Sequence, residues 1–193
     1  MTTANKVTIV RILLVPFFVV LGIYYVTSGE EIYRLLAILC FAVAAISDGI
    51  DGYIARRYHQ QSDLGTVLDP LADKMLLLSA IALLGLNNEP FLHRLPLWLT
   101  ATVISRDAVL SIGIAVVHYT CGKVALRPHP ISKVATVLQM ITVSWVLLKW
   151  DAVWLHWFAV GAAVCTGVSV VPYLIDGIRQ LNASPASAPK ANP

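Results

Sequence analysis

Charge is scarce in this sequence. Asp, Glu, Lys and Arg make up 13% of its 193 residues, whereas a soluble domain needs about 25% to solvate its surface. The missing polar surface argues against a soluble fold. The formal net charge is only +3, and no nucleic-acid partner is expected. Cysteine is also rare. Cys40, Cys121 and Cys165 lie within or beside apolar runs at no metal-like spacing, so neither a disulfide framework nor a thiolate metal site is suggested. A cleavable leader pattern is absent too: Met1 to Lys6 is short, and no small-residue cleavage site follows it.

What the chain has in quantity is apolar length. Hydrophobic residues make up 58% of it, and its mean hydropathy is +0.74. Several runs approach the roughly 20 residues that span a bilayer core as helix. The pattern predicts an all-α polytopic membrane protein with six transmembrane helices, at about 8–27, 33–55, 66–86, 95–118, 132–150 and 153–177. Polar or proline-bearing breaks separate them: Thr27 to Glu31, His59 to Asp63, Asn87 to Pro90, Gly122 to Pro130, and Lys149 to Asp151. Residues 1–181 are read as one membrane domain. Residues 182–193, rich in Ala, Ser and Pro, are read as a disordered tail.

Positive charge orients the spans. Of 14 Lys and Arg residues, ten fall on one side of the six-span arrangement: Lys6, Arg11, Arg56, Arg57, Lys74, Lys123, Arg127, Lys133, Arg179 and Lys190. Three, Arg34, Arg94 and Lys149, fall on the other, and Arg106 lies within a span. The positive-inside bias then puts both termini in the cytoplasm of an inner (cytoplasmic) membrane protein. The five tryptophans lie mostly near span ends, as interfacial anchors do.

The chemistry is concentrated at the cytoplasmic ends of the second and third helices. Asp48-Gly49-Ile50-Asp51-Gly52 runs on to Ala55-Arg56, and after eight residues comes Gly65, then Asp69 and Asp73. Aspartates three or four residues apart share a helix face. The polar stretch between them is short enough to return the chain as an antiparallel hairpin, so the two acidic faces can meet. Four carboxylates at membrane depth repel one another and are costly to desolvate. Hard divalent cations such as Mg2+, Mn2+ or Ca2+ relieve both penalties, and ions held this way suit phosphoryl chemistry. Gly49 and Gly52 leave room for a ligand, and Arg56 could pair with a phosphate or an aspartate. A cation transporter would also carry intramembrane acids. Against it, all four acids cluster near one membrane face, and no inverted repeat of the motif appears in the second half.

These residues resemble the CDP-alcohol phosphatidyltransferase family, whose signature is D-x2-D-G-x2-A-R-x8-G-x3-D-x3-D. Asp48, Asp51, Gly52, Ala55, Arg56, Gly65, Asp69 and Asp73 meet every fixed position, and the gap matches as well. The resemblance implies a six-helix membrane enzyme, commonly a homodimer, that moves a phosphatidyl group from CDP-diacylglycerol to an alcohol and releases CMP. It implies that Asp48, Asp51 and Asp69 hold Mg2+ or Mn2+ and, through it, the CDP diphosphate. Asp73 would complete the metal site and serve as the catalytic base. Gly52, Ala55, Arg56 and Gly65 would shape the CDP pocket, at the cytoplasmic side of the membrane; Gly49, for the room it leaves, is expected to line that pocket as well.

The acceptor rests on weaker patterns. Asn5-x2-Thr8-x2-Arg11-x4-Pro16 and Ser132-Lys133-x2-Thr136-x2-Gln139 resemble segments of the bacterial branches of the family that use glycerol 3-phosphate, or phosphatidylglycerol to form cardiolipin. Ser132, Thr136 and Gln139 lie within about 60° on a helical wheel. Lys133 and Ser132, with Arg106 and Arg11 as partners, are therefore expected to bind a phosphate-bearing acceptor near a helix N-terminus. Arg106-Asp107 resembles the cardiolipin-forming branch and departs from the Arg-Glu associated with the glycerol 3-phosphate branch. Glycerol 3-phosphate is the leading expectation and phosphatidylglycerol the alternative.

Overall fold

A computed structural model describes residues 3–58, 63–86, 88, 90–121 and 130–182, with side chains from 8–47, 72–86, 88, 90–117, 119 and 130–179. The described residues form six α-helices and no strand: α1 (Thr3–Ser28), α2 (Glu31–Tyr58), α3 (Asp63–Gly85), α4 (Leu97–Cys121), α5 (Pro130–Leu147) and α6 (Ala152–Asn182). Helix suits an apolar solvent because every backbone N–H and C=O is satisfied within the segment. Among the described residues, Thr8–Ser28, Leu97–Val117, Pro130–Leu147 and Ala152–Arg179 are long and apolar enough to cross a membrane. Large apolar side chains such as Phe17, Ile46, Ile112 and Trp157 point outward. Apolar surface on this scale fits contact with lipid, and the chain is a membrane protein.

The helices overrun the expected spans at most ends, because a helix can continue past the apolar run that marks a span. α5 starts two residues early at Pro130, whose fixed φ and missing N–H suit a first turn. It ends at Leu147, short of the expected Trp150, because Lys149 turns left-handed at φ +56°. There the Lys149 N–H donates to Val146 O (3.0 Å) and the Trp150 N–H to Trp145 O (3.2 Å), the paired bonds of a Schellman cap. α6 runs through Asn182, the first residue of the expected tail. The rest of that tail lies outside the described residues.

The chain divides into two compact units, residues 1–96 with 142–155, and residues 97–141 with 156–193. In the first, α1 packs on α2 and α3, around Phe18, Tyr25, Phe41, Leu76, Ile81 and Leu84, all buried. Phe18 and Phe41 rings meet at 5.7 Å. Gly22 lets α1 and α3 approach closely: a β-carbon there would collide with the Leu83 side chain. Gly29 ends α1 in a left-handed conformation (φ +74°) that disfavours any side chain. Buried Asn88 donates from Nδ2 to Leu83 O (3.0 Å), Arg94 Nε to Gly85 O (3.1 Å) and the Leu95 N–H to Leu84 O (2.9 Å). These bonds satisfy the last carbonyls of α3, which a helix leaves open.

Glu31 gathers the charges at the start of α2. It accepts from Lys149 Nζ (2.6 Å), Arg34 Nε (2.5 Å) and the Tyr25 hydroxyl (3.2 Å). Arg34 Nη1 also donates to Leu147 O (2.9 Å), the last residue of α5. Lys149 Nζ sits 5.3 Å from the Tyr25 ring centroid. The hydrogen bonds from Lys149 first, then Arg34, hold the Glu31 carboxyl at about 2 instead of 4.5. Lys149 is shifted upward, chiefly by its bond to Glu31.

In the second unit, Gln139 of α5 is 6% exposed. It donates from Nε2 to Thr166 Oγ1 of α6 (2.8 Å), and that hydroxyl donates to Ala162 O (2.6 Å). The Ser169 hydroxyl donates to Thr166 O (2.7 Å), extending a polar seam through an apolar interior.

Candidate active site

The backbone continues α2 through 48–56 and α3 from 63 through 73. On such helices Asp48 and Asp51 stand about 60° apart around the axis, and Asp69 and Asp73 about 40° apart. Each pair thus occupies one face. The side chains of Asp48, Asp51, Asp69 and Arg56, and Gly49, Gly52, Ala55 and Gly65, lie outside the described side chains. Asp73 is half-buried, with Ala72 and Leu76, both fully buried, beside it on α3. Among the described residues no three His, Cys, Asp or Glu side chains converge as a metal site; three of the four expected ligands are beyond that description. The donor set itself consists of carboxylates alone, hard oxygen ligands that fit Mg2+ or Mn2+.

The residues expected to receive the acceptor fall in both units. Arg11, on α1 in the first unit, is 1% exposed, and Thr8 one turn earlier is fully buried. A charge so deeply buried in an apolar span is costly and is kept for a reason. Arg106, Ser132 and Lys133 lie in the second unit. There Arg106 Nη2 donates to Ser132 Oγ (2.6 Å), joining α4 to the first turn of α5. Arg106 Nη1 donates to Asp107 Oδ1 (2.7 Å), with side chains 9% and 13% exposed. Lys133, next to Ser132, is exposed. The Thr136 hydroxyl donates to Ser132 O (3.0 Å), closing this turn of α5. Sequence reasoning passed over Thr166 as a partner for Gln139. The available signal was a hydroxyl residue in an apolar helix, which tends to seek a partner across the interface.

The family model for CDP-alcohol phosphatidyltransferases matches residues 1–166, which contain both aspartate pairs and the Arg106–Ser132 contact. The chain belongs to the CDP-alcohol phosphatidyltransferase family. Relatives named CDP-diacylglycerol–glycerol-3-phosphate 3-phosphatidyltransferase, from Salmonella paratyphi A, Shigella flexneri serotype 5b and Escherichia coli K12, are each 32% identical over 171 residues. The alignments cover 86% of this chain and 90% of each relative. The protein is accordingly a membrane-bound phosphatidyltransferase, of a family that works with divalent cations. Family membership sets the cation-transporter reading aside. As in any CDP-alcohol phosphatidyltransferase, the conserved chemistry needed is modest: neutralise a diphosphate, activate a hydroxyl, and hold the two together.

Proposed function

We propose that this enzyme transfers the phosphatidyl group of CDP-diacylglycerol to glycerol 3-phosphate, forming phosphatidylglycerophosphate and CMP. The observation that carries this reading is the pair of aspartate faces on consecutive helices, in a chain similar along most of its length to relatives named for that reaction. Asp48, Asp51, Asp69 and Asp73 would hold Mg2+ or Mn2+. Such an ion, when bound, neutralises the diphosphate and the departing phosphate. Gly49, Gly52, Ala55 and Gly65 leave space for the cytidine nucleotide, and Arg56 pairs with its phosphate. Arg106, Ser132, Lys133 and Arg11 receive the phosphate of the acceptor.

The acceptor hydroxyl attacks the phosphorus that bears diacylglycerol. A new ester P–O bond forms, the bond from that phosphorus to the bridging oxygen breaks, and CMP leaves with the electron pair. Asp73 takes the hydroxyl proton as the bond forms, since a neutral alcohol is a weak nucleophile near pH 7. All six helices span the inner membrane in this reading, with both termini and the site on the cytoplasmic side. The membrane domain covers residues 1–181, residues 182–193 form a tail outside it, and the enzyme works as a homodimer.

The test uses purified protein, CDP-diacylglycerol and either glycerol 3-phosphate or phosphatidylglycerol, with CMP and lipid products measured. Glycerol 3-phosphate should release CMP and yield phosphatidylglycerophosphate; excess chelator should stop the reaction, and Mg2+ or Mn2+ restore it. CMP release with phosphatidylglycerol alone would replace the acceptor and make cardiolipin the product. Full turnover in chelator would overturn the metal assignment.

A further inference from the structure

The Arg106–Asp107 contact joins neighbours in sequence. Successive helical residues point about 100° apart and do not ordinarily face each other; stabilising helix pairs stand three or four residues apart. To reach Asp107 Oδ1 with Nη1 while Nη2 meets Ser132 Oγ on another helix, the guanidinium must lie across the surface of α4. It is pinned at both terminal nitrogens. Nε, between them and the aliphatic stem, is buried and has no hydrogen-bond partner among the described residues. Leaving a charged N–H unsatisfied in a nine-tenths-buried side chain costs free energy. A side-chain arrangement with that cost fits a receptor whose unused Nε–H serves a ligand.

The donors around this nitrogen suit an anion. Ser132 Oγ accepts from Arg106, which leaves its own proton to donate. Ser132 also belongs to the first turn of α5, an 18-residue helix whose N-terminal N–H groups favour negative charge. Arginine recognises phosphate through a fixed planar fork, so its orientation matters as much as its charge.

We propose that Asp107 is a positioning residue of the acceptor site: it pins one end of the Arg106 guanidinium, opposite Ser132, so that the remaining edge faces the phosphomonoester of the acceptor. This rests on the reading that Arg106 receives that phosphate. Asp107 touches no substrate. Its carboxylate also offsets the arginine charge in the apolar interior, so that the empty site does not bury a lone cation.

The experiment is a double-mutant cycle on the full-length enzyme, with KM for glycerol 3-phosphate, KM for CDP-diacylglycerol and kcat measured separately. Arg106→Met examines the underlying reading: it should raise the glycerol 3-phosphate KM selectively, and an unchanged value overturns the acceptor site together with this proposal. Asp107→Asn keeps the shape and removes the charge. It should raise the glycerol 3-phosphate KM about tenfold, as expected for a weakened hydrogen bond to a charged group. Its kcat and CDP-diacylglycerol KM should stay within about twofold. Asp107→Glu should recover part of the affinity. In the Arg106→Met background, Asp107→Asn should change nothing further.

Three outcomes overturn the positioning role while leaving the acceptor reading intact. One is a selective Arg106→Met effect beside an Asp107→Asn variant of normal acceptor KM. Another is an Asp107→Asn effect that persists undiminished without Arg106. The third is a lowered acceptor KM in Asp107→Asn, which would make the carboxylate a repulsive brake. Should Asp107→Asn fail to fold, Asp107→Ser repeats the cycle in the wild-type and Arg106→Met backgrounds: a raised acceptor KM that requires Arg106 supports the positioning role, and a normal one overturns it.

Discussion

The bond between Gln139 and Thr166 makes two substitutions of similar size unequal. Gln139→Leu removes the donor to Thr166 Oγ1, yet that hydroxyl still donates to Ala162 O at 2.6 Å. Leucine roughly fills the glutamine volume and carries no polar group. The loss is one interhelical hydrogen bond in an apolar interior, about 0.6 kcal/mol on average and up to roughly 1.7. Thr166→Val acts differently. It strands the Gln139 amide, 6% exposed, beside a methyl group, and an unsatisfied buried polar group costs about 1–3 kcal/mol. The carbonyl of Ala162 loses little, since it sits inside α6 and has its helical bond. Thr166→Val should therefore destabilise more than Gln139→Leu, and the double variant should be more stable than Thr166→Val alone. Reversible unfolding in mixed micelles, followed by loss of helical circular dichroism, would measure all four proteins. Equal losses in the two single variants would refute the extra cost of a stranded amide, and strictly additive losses in the double would mean that neither side chain depends on the other.

Further expectations concern chemistry and pH. Asp73→Asn should lower kcat by about 100- to 10,000-fold, the usual contribution of a general base, with a much smaller effect on the KM of CDP-diacylglycerol; intact turnover with weakened nucleotide binding would limit Asp73 to metal binding. Glu31 is held at about 2 against an ordinary 4.5, so its ion pairs contribute stability above pH 4.5 that disappears as pH falls through about 2. Lys149 is shifted upward and stays charged through that range, its contribution being lost only in strong alkali. The melting-temperature difference between wild type and Glu31→Gln should hence stay level from neutral pH to about 5 and shrink in more acidic buffer; a difference that persists unchanged at pH 3 would assign the effect to packing.

Local information was readable in the residues alone. Apolar run length, proline and glycine breaks, and the tight spacing of Asp48, Asp51, Asp69 and Asp73 all act over one or two helical turns, and each specifies its own segment. The helical course of the chain and its family followed from those. Exact ends were less legible: Lys149 stops α5 in a conformation usually reserved for glycine, and it does so where Glu31 and the Tyr25 ring hold its ammonium group. That anchor lies 118 residues away in sequence.

Tertiary structure decided the pairings. Arg106 was visible as a cation within a span, and Asp107 as its neighbour, but Ser132 became its second partner only when α4 and α5 packed. Gln139 with Thr166, and Arg34 with Leu147 O, arose the same way. In water, an apolar stripe marks the face a helix buries, and partners can be read from its periodicity. A membrane helix is apolar toward lipid and protein alike, so the stripe carries little information and rotation is set by close packing and a few polar contacts. Those contacts join residues far apart in the chain, which is why the composition and the motif revealed the kind of enzyme while only the folded helices decided how its buried charges are held.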